Sequence, residues 1–438
     1  MKINIQTLGC PKNFNDSEVC AGILEANGHI ITDDLLEADA ILVNTCGFIN
    51  DAKKESIEKI FEMATLKDNG CLLIVSGCLA ERYADELFKE MPEVDIMLGV
   101  NDYERLPNLL AEYMENKERK INVSHNPCNI ISSKYRKYDK NPYTATIKIA
   151  EGCDNRCAYC IIPMIRGGYR SVKIEDIITE AKLLAEKGCK ELILIAQDVT
   201  YYGTDIYGKA MLPELLKHLC KIDGIKWIRL MYCYEDRITD ELIDVMATET
   251  KICHYIDIPI QHASDKILGL MKRRSTKASI LNTISRLRKA IPDIHIRTTL
   301  ITGFPGESKA EFDELLSFVD EIGFERLGVF AYSKEEGTEG YSMKPQVRED
   351  VKKRRAETIM RRQVDISLEK NKKKIGKILE VLVEEQDEEG AYIGRSVYDA
   401  PEIDNSVIFK GNNNIKIGEI IKVEITDAFD YDLVGREI

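Results

Sequence analysis

The sequence predicts an α/β protein of three parts: a flavodoxin-like parallel sheet, a partial or complete α/β barrel, and a small antiparallel β-barrel. Three observations predict it. Short apolar runs alternate with amphipathic stretches near the N-terminus, six strand–helix units follow, and short β-rich runs between Gly and Asn turns occupy the last part. We place the parts at 1–112, 142–371 and 372–438, with a polar linker at 113–141.

The first part has five predicted strands, which take the order 2-1-3-4-5 in a flavodoxin-like sheet. Strand–helix alternation favours a parallel sheet with helices on both faces. The predicted strands are 2–7, 29–32, 40–44, 72–75 and 94–98, and the amphipathic stretches between them include 16–26 and 52–66.

The second part repeats a strand followed by a helix, as in an α/β barrel. A long charged helix at 348–374 then leads to the third part, where short strands predict a small antiparallel barrel. The predicted strands are 144–150, 192–196, 227–232, 255–259, 296–302 and 327–332 in the second part, and 378–383, 391–396, 406–409 and 420–428 in the third.

Composition and charge bound the setting in which the protein works. The 438 residues contain no apolar run near the ~20 residues that cross a bilayer, and the N-terminus has no signal-peptide pattern. We therefore expect a cytoplasmic protein with no membrane partner. The net charge of −13 is concentrated in residues 378–438, which hold 15 Asp or Glu and 5 Lys or Arg. Such a segment suits a basic partner, although a solvated acidic surface explains it equally well.

The strongest motif is a loop of three cysteines, Cys153, Cys157 and Cys160, directly after the first barrel strand. The chain has 13 cysteines, and an odd number in a reducing compartment argues against a disulfide framework. Three thiolates on one loop can ligate three irons of a 4Fe–4S cluster and leave the fourth iron open for a small chelating molecule. A structural zinc ion would need a fourth protein ligand, which is not obvious nearby, and simple burial is the other alternative.

A second set of cysteines follows predicted strands of the first part. Cys10, Cys46 and Cys78 lie one to three residues past the first, third and fourth strands, which are neighbours in the expected order. Their side chains could converge at the carboxyl edge of the sheet, where adjacent glycines would let a cluster approach the backbone. Each cysteine alone is more typical of a small buried hydrophobe, but together they predict a second cluster.

Polar residues at barrel strands are candidate cofactor contacts. Gln197, Gln261, Arg297 and Thr299 lie in or just after predicted core strands, and a bound cofactor is one partner that a buried polar group can have. Gly303 opens a Gly-Phe-Pro-Gly-Glu segment that alone is typical of a turn. The sequence has no Ser–His–Asp arrangement, zinc-protease spacing or glycine-rich phosphate loop that would favour a hydrolase.

The cysteine loop resembles that of the radical S-adenosylmethionine (SAM) superfamily, and the whole chain resembles its methylthiotransferase family. That family has an N-terminal cluster domain, a radical barrel and a C-terminal TRAM domain. The resemblance implies two 4Fe–4S clusters, SAM on the open iron of the second, Tyr159 near the adenine, and the Gly303 segment along the cofactor. The implied ligands are Cys10, Cys46 and Cys78 for the first cluster and Cys153, Cys157 and Cys160 for the second.

Several segments resemble the branch of this family that thiomethylates an aspartate of the small-subunit ribosomal protein twelve. The acidic third part agrees with a basic protein substrate better than with bare RNA. The alternatives are the branch that thiomethylates a transfer-RNA adenosine and a non-catalytic iron–sulfur or zinc protein that binds RNA. The segments are Leu8-Gly9-Cys10-Pro11-Lys12-Asn13, Asp16-Ser17-Glu18, Ile258-Pro259-Ile260-Gln261-His262-Ala263-Ser264, Gly394-Arg395-Ser396 and Asp399-Ala400-Pro401-Glu402-Ile403-Asp404.

The resemblance implies a reaction at an unactivated C–H bond. A 5′-deoxyadenosyl radical takes hydrogen from the β-carbon of the aspartate, and the N-terminal cluster presents a methylated sulfur to the carbon radical. A second SAM supplies the methyl group. The products are the methylthio-aspartyl protein, methionine, 5′-deoxyadenosine and S-adenosylhomocysteine. An external electron donor and a sulfur source are the implied further partners.

Val172 and the basic helix at 348–374 depart from a simple interpretation of the sequence. Val172 stands where the family usually has Arg, which puts in doubt an anion contact at that position. The helix at 348–374 is basic, and it is either a solvated face or a contact for ribosomal RNA. Its basic residues are Lys352, Lys353, Arg354, Arg355, Arg361, Arg362, Lys372, Lys373 and Lys374.

Overall fold

A computed structural model describes residues 1–124, 133–138, 143–411 and 414–438, apart from the side chains of residues 68, 69 and 133. The described chain forms two six-stranded sheets, a closed five-stranded barrel and one two-stranded sheet. The expected α/β architecture of three parts is therefore confirmed.

The N-terminal part is a parallel sheet between two helical layers. Its elements are β1 (Lys2–Thr7), α1 (Pro11–Ala26), β2 (Ile30–Ile31), β3 (Ala40–Thr45), α2 (Asn50–Ala64), β4 (Leu72–Gly77), α3 (Cys78–Glu90), β5 (Ile96–Leu98), α4 (Leu106–Asn116) and β6 (Lys120–Asn122). The strand order is β2-β1-β3-β4-β5-β6, so the first five strands follow the expected order. Alternate residues of β3 enter opposite cores: Leu42 packs on the side of α1 and α4, and Val43 on the side of α2 and α3.

The predicted linker at 113–141 contains regular structure. It includes the end of α4 and the strand β6, which pairs with β5 between Met97 and Ile121. An edge strand of three partly exposed residues has no apolar alternation to reveal it in the sequence. Residues 125–132 and 139–141 of this segment lie outside the described residues, and the domain limits stay a prediction.

The second part is an open, partial barrel. Its strands are β7 (Thr144–Lys148), β8 (Ala150–Glu151), β9 (Arg170–Ser171), β10 (Glu191–Ile195), β11 (Trp227–Leu230), β12 (Ile252–Asp257), β13 (His295–Thr302) and β14 (Arg326–Ala331). The order β14-β13-β12-β11-β10-β7 is parallel throughout, with β7 and β14 at the edges. Strands β8 and β9 form the separate antiparallel pair.

Helices of the second part cover its sheet, and three of them begin at a side-chain cap. They are α5 (Ile162–Arg166), α6 (Ile174–Glu186), α7 (Thr204–Tyr207), α8 (Leu212–Cys220), α9 (Asp240–Thr248), α10 (Asp265–Leu270), α11 (Lys277–Ala290), α12 (Lys309–Ile322), α13 (Glu339–Ser342) and α14 (Glu349–Lys372). The capped helices are α9, α11 and α12, and at α12 Ser308 and Glu311 form a capping box. Among the described helices, none combines the length and apolarity needed to span a bilayer.

The third part closes with a strand that the sequence analysis missed. Its strands are β15 (Ile378–Gln386), β16 (Tyr392–Ser396), β17 (Val407–Lys410), β18 (Ile420–Ala428) and β19 (Leu433–Glu437). The barrel order is β15-β16-β17-β19-β18, and β17 pairs with β19 in parallel, so the barrel is not wholly antiparallel. Gly435 within β19 and the acidic loop before it weaken the strand pattern.

Several basic residues of helix α14 form ion pairs within the protein. Lys352 is buried and pairs with Glu349 at 2.5 Å, and Arg355 pairs with Glu307 at 2.6 Å. Arg362 pairs with Asp320. These contacts favour a structural role for that face of the helix, whereas Lys353, Arg354 and Arg361 are exposed.

Candidate active site

The cysteine loop of the second part lies between β8 and α5. Cys153 and Cys157 are buried and Cys160 is half-buried. The Cys153 N–H donates to the Gly167 carbonyl at 3.1 Å, and the Cys160 N–H donates to the Cys157 carbonyl at 3.0 Å. Burial, followed by the nearby Cys157 and Cys153, raises the pKa of the Cys160 thiol, so the three thiols share one environment.

Side chains from neighbouring strands hold this loop in place. Asn155 donates to Asp198 at 2.9 Å, and Arg237 forms an ion pair with the same carboxylate. The Tyr234 hydroxyl lies 2.9 Å from the Cys157 sulfur. The loop is therefore braced through residues that follow β10 and β11, at the carboxyl edge where barrel enzymes keep their chemistry.

Arg273, which the sequence analysis missed, is the principal cation beside this loop. It is 6% exposed, donates to the Tyr159 hydroxyl at 3.3 Å, and stacks on the Tyr234 ring at 4.4 Å. Its Nε and Nη2 are buried and have no hydrogen-bond partner in the described structure. A buried guanidinium without a carboxylate calls for another anion. Three thiolates carrying a cluster would supply one, so these residues fit a three-cysteine cluster.

The N-terminal cysteines lie at neighbouring strand ends, on the carboxyl edge of their sheet. Cys10 precedes α1, Cys46 follows β3, and Cys78 begins α3. Burial, followed by the nearby Cys78, raises the pKa of Cys46 to about 12. A Cβ added at Gly9 would lie 3.1 Å from the Cys46 sulfur, and one at Gly47 only 2.8 Å from the Cys78 carbonyl carbon. The glycines thus let the three loops approach one another, which is the arrangement a shared cluster needs.

A buried charge network joins this set to the second part. Arg166 of α5 donates to the Cys78 sulfur at 3.4 Å and pairs with Asp16 and Glu151, each at 3.0 Å. Lys148 of β7 pairs with the same two carboxylates. Two cations and two anions therefore balance in the interface between the first two sheets. The sequence offered no signal for this network, because its members are distant along the chain.

A zinc ion finds less support than a cluster. In the ranges that the structure describes, no group of three or more His, Cys, Asp or Glu residues is arranged to hold a single metal ion. Cluster ligands differ, because each thiolate binds its own iron and the thiols need not converge on one point. The remaining described cysteines are all buried; they are Cys20, Cys71, Cys189, Cys220, Cys233 and Cys253. Cys128 lies outside the described residues.

One cavity of about 1050 Å³ opens between all three parts. Five residues singled out from the sequence line it: Cys10, Cys46, Tyr159, Gln261 and Thr299. The N-terminal cysteines and the aromatic side chain of the radical loop thus face the same space. The cavity is large enough for a cofactor together with part of a substrate.

Strained backbone is concentrated at this cavity. Tyr232, Gln261 and Glu402 adopt the left-handed conformation, with φ of 58°, 71° and 66°, and all three line the cavity. Non-glycine residues hold this conformation at a cost, and such residues cluster at functional sites. This observation supports the cavity as the site of function.

The other three predicted contacts lie outside the cavity lining. Gln197 donates to Glu151 at 2.7 Å and leaves its buried Oε1 without a partner in the described structure. Arg297 donates to Asp257 at 3.0 Å. A Cβ added at Gly303 would meet the Lys352 side chain at 2.2 Å, so Gly303 packs against α14. Cofactor contact stays a prediction for all six residues.

The acidic segments of the third part dock onto the second. Arg395 pairs with Glu191 of β10 at 2.6 Å, and Arg326 of β14 pairs with Asp399. Asp404 accepts from the Tyr255 hydroxyl at 2.6 Å. Part of the acidity that suggested a basic partner is therefore neutralised within the protein. Glu385 and Glu402 remain exposed and line the cavity.

Val172 is partly buried against the core. Its N–H donates to the Ile149 carbonyl at 2.9 Å, its carbonyl accepts from the Tyr202 hydroxyl at 2.9 Å, and its side chain packs against the main cluster of the second part. An apolar residue suits this position. The Val172 side chain cannot make the anion contact that an Arg could make there.

Comparison with known proteins gives this geometry a context. The sequence matches the uncharacterized protein family UPF0004 over residues 2–99, the radical SAM superfamily over 147–319 and the TRAM domain over 375–438. It is 50% identical to the ribosomal protein uS12 methylthiotransferase RimO of Acetivibrio thermocellus, covering 100% of this chain and 98% of the relative. It is 51% identical to RimO of Clostridioides difficile, covering 99% and 98%. The chain belongs to the RimO methylthiotransferase family.

Solved structures support the fold of this RimO-family chain. The radical SAM methyltransferase TsrM from Kitasatospora setae, with cobalamin and a [4Fe-4S] cluster bound, aligns with a TM-score of 0.59 at 14% identity over 76% of this chain and 72% of TsrM. The cobalamin-dependent radical enzyme OxsB aligns with a TM-score of 0.52 at 13% identity, covering 82% of this chain and 56% of OxsB. Membership of a radical SAM family supports the use of SAM and an iron–sulfur cluster.

Proposed function

We propose that this protein inserts a methylthio group at the β-carbon of an aspartate of ribosomal protein uS12. The observation that carries the proposal is the shared cavity, which Cys10 and Cys46 of one cysteine set and Tyr159 of the other set's loop all line. A reaction that needs a radical and a sulfur donor at one carbon needs both groups to face one space. The RimO relatives, which match the full length, carry uS12 in their names.

We assign two clusters to the two cysteine sets. A cluster on Cys153, Cys157 and Cys160, with SAM bound, would supply an electron that cleaves SAM and yields a radical able to break an unactivated C–H bond. The chain itself contributes the surroundings. Arg273 contacts Tyr159 and Tyr234, and the Tyr234 hydroxyl, 2.9 Å from the Cys157 sulfur, would donate to it once the thiolate binds iron. Tyr159 offers an aromatic wall to the cavity for an adenine.

The N-terminal set is assigned the sulfur-donating role. Cys46 and Cys78 are buried and Cys10 is half-buried, and Arg166 donates to the Cys78 sulfur. Walls from all three parts border the space between the two sets, and a docked substrate would close it against water, which protects a radical from side reactions. An external electron donor and a sulfur source complete the requirements, and we propose that the protein works in the cytoplasm.

Product analysis with two substrates tests this proposal. The enzyme is reconstituted anaerobically and supplied with reductant and SAM, together with uS12 in one reaction and adenosine-modified transfer RNA in another. We expect mass spectrometry to find one methylthio group in place of hydrogen on an aspartate of uS12. The same modification on the transfer RNA, with uS12 unchanged, would assign the chain to the other substrate. Formation of no 5′-deoxyadenosine would contradict the radical function altogether.

A further inference from the structure

Lys12 is a buried ammonium group that forms no ion pair within the described part of the chain. It is the second residue of α1 and is 7% exposed, and its Nζ lies 3.6 Å from the centroid of the Tyr232 ring. Glu151 and Asp257 influence it electrostatically from beyond ion-pair distance. Because a desolvated cation is costly without a nearby anion, and because the N-terminal end of a helix also favours negative charge, this position is suited to an anionic ligand.

Lys12 lies where the first two parts meet. It follows Cys10 of the N-terminal set by two residues, and its ammonium contacts the ring of Tyr232 in the second part. Cys10 and Pro11 line the cavity beside it, and so does the Tyr232 ring on which its ammonium rests. Lys12 itself is not among the lining residues, so an anion would reach its ammonium at the edge of the cavity, beside Cys10 and Tyr232.

The other buried cations near the cysteines have assigned partners. Arg166 and Lys148 share Asp16 and Glu151. Arg273 contacts Tyr159 and Tyr234 of the radical site and has the loop thiols for its charge. Lys12 has the Cys10 thiol and an aromatic face near it but no carboxylate of the described chain within ion-pair distance, which leaves its hydrogen-bond donors available.

We infer that Lys12 receives the side-chain carboxylate of the substrate aspartate and selects for it, an inference that rests on the proposed function. The β-carbon of an aspartate is bonded directly to its carboxyl carbon. Holding the carboxylate at Lys12 therefore fixes the β-carbon close by, in the space between the sulfur-donating set and the radical site. The base of a transfer-RNA adenosine has no carboxylate to offer. The methionyl group of SAM is the other source of a carboxylate, and the test separates the two.

The test compares binding of two forms of the substrate. The affinity of the anaerobically reconstituted enzyme is measured for uS12 and for uS12 with its target Asp replaced by Asn, a neutral residue of nearly the same shape. We expect the wild-type enzyme to bind the Asp form about tenfold more tightly or better, as a charge-assisted hydrogen bond does. With Lys12→Met, the ratio should fall to about one, and Lys12→Arg should retain part of it. Lys54→Met removes an exposed lysine of α2 and should leave the ratio unchanged.

Several outcomes overturn the inference. The inference is wrong if the wild-type enzyme binds the Asp and Asn forms of uS12 equally. It is also wrong if the Lys12→Met enzyme still prefers the Asp form. Weaker SAM binding in Lys12→Met, with the substrate preference retained, would assign Lys12 to the methionyl carboxylate instead. Iron content verifies that each variant carries its clusters. If Lys12→Met does not bind its clusters, the ratio of the affinities for the Asp and Asn forms is compared between the wild-type enzyme and Lys12→Arg instead. A wild-type enzyme that leaves uS12 unmodified refutes the proposed function, whereas a modified uS12 without an Asp preference refutes the role of Lys12 alone.

Discussion

The two cysteine sets are assembled in different ways. Cys153, Cys157 and Cys160 belong to one loop of eight residues, and a few neighbouring side chains brace it. Cys10, Cys46 and Cys78 come from three separate strand ends, and Arg166 of helix α5 in the second part completes their surroundings. The loop set depends on local sequence, whereas the N-terminal set depends on tertiary structure. Damage to the interface between the first two sheets should therefore harm the N-terminal set more.

The largest expected effect comes from removing each set by itself. Replacing Cys153, Cys157 and Cys160 by Ala should remove about four irons and abolish 5′-deoxyadenosine formation. Replacing the N-terminal three should also remove about four irons but should leave SAM cleavage measurable while no methylthio product forms. Iron analysis and product chromatography check both outcomes. Cys71→Ala, a buried cysteine outside both sets, should retain all the iron, and equal loss of SAM cleavage in both triple variants would refute this division of roles.

The second-largest effect is expected from breaking the charge network at the interface, which should affect the two cysteine sets differently. Arg166→Met leaves Asp16 and Glu151 with one cation, Lys148, in a buried site. Loss of one member of a buried ion pair destabilises a protein by about 3–5 kcal/mol. Denaturant unfolding measures the change, and iron loss with 5′-deoxyadenosine formation retained should show that the N-terminal set is the one affected. Arg166→Lys keeps the charge and should cost less, whereas loss of 5′-deoxyadenosine formation together with the iron would contradict the comparison.

A pair far from both sets should disturb neither of them. Burial raises the pKa of Glu191, but Arg395 and Arg229 outweigh it and lower the pKa to about 2. A depressed folded-state pKa gives stability above the ordinary value near 4.5, and that stability is lost as pH falls toward 2. Glu191→Gln should therefore destabilise the protein by about 1–3 kcal/mol at pH 7, with a deficit that shrinks below about pH 4.

Thermal melting at pH 7 and at pH 4 or below measures this pH dependence. Iron content should stay unchanged at pH 7, because the Glu191 carboxylate pairs with Arg229 and Arg395 and with neither cysteine set. A deficit that grows as the pH falls would show that the sign of the linkage is wrong.

The smallest expected effect concerns a single hydrogen bond to sulfur. Tyr234→Phe removes the hydroxyl that lies 2.9 Å from the Cys157 sulfur. Such bonds stabilise the reduced, more negative state, so the reduction potential of the loop cluster should fall. A contribution of about 1 kcal/mol corresponds to about 40 mV for one electron. Redox titration followed by electron paramagnetic resonance measures the shift, and the N-terminal cluster serves as the internal reference that should not move.

The sequence predicted the features that follow from short-range pattern. Spacing revealed the loop set, and strand ends revealed the N-terminal set, because the order of a parallel sheet fixes which ends are neighbours. Buried charges such as Arg166 and Arg273 could not be distinguished from the many exposed ones, since burial arises only when distant segments meet. The strands β6 and β19 were missed because short strands carry little periodicity.

Net charge along the sequence was informative only in part. The acidic excess of the third part is real, but Asp399 faces Arg326 of β14. Asp404 likewise accepts from Tyr255. Composition gives the sum of charges and not the direction in which they face, so its use in choosing between a protein and an RNA substrate needed the structure.

The docking of the third part has a consequence for chains shortened after residue 374. Arg326 is buried against Asp399, and Lys374 lies in the same interface, where burial, together with Arg326, lowers its pKa to about 8. Cutting away residues 375–438 would leave both cations uncovered and without Asp399. The fragment would carry an artificial cationic patch that attracts polyanions without regard to sequence. If such a fragment bound nucleic acid, the binding would reflect the interface exposed by truncation and not a physiological ligand.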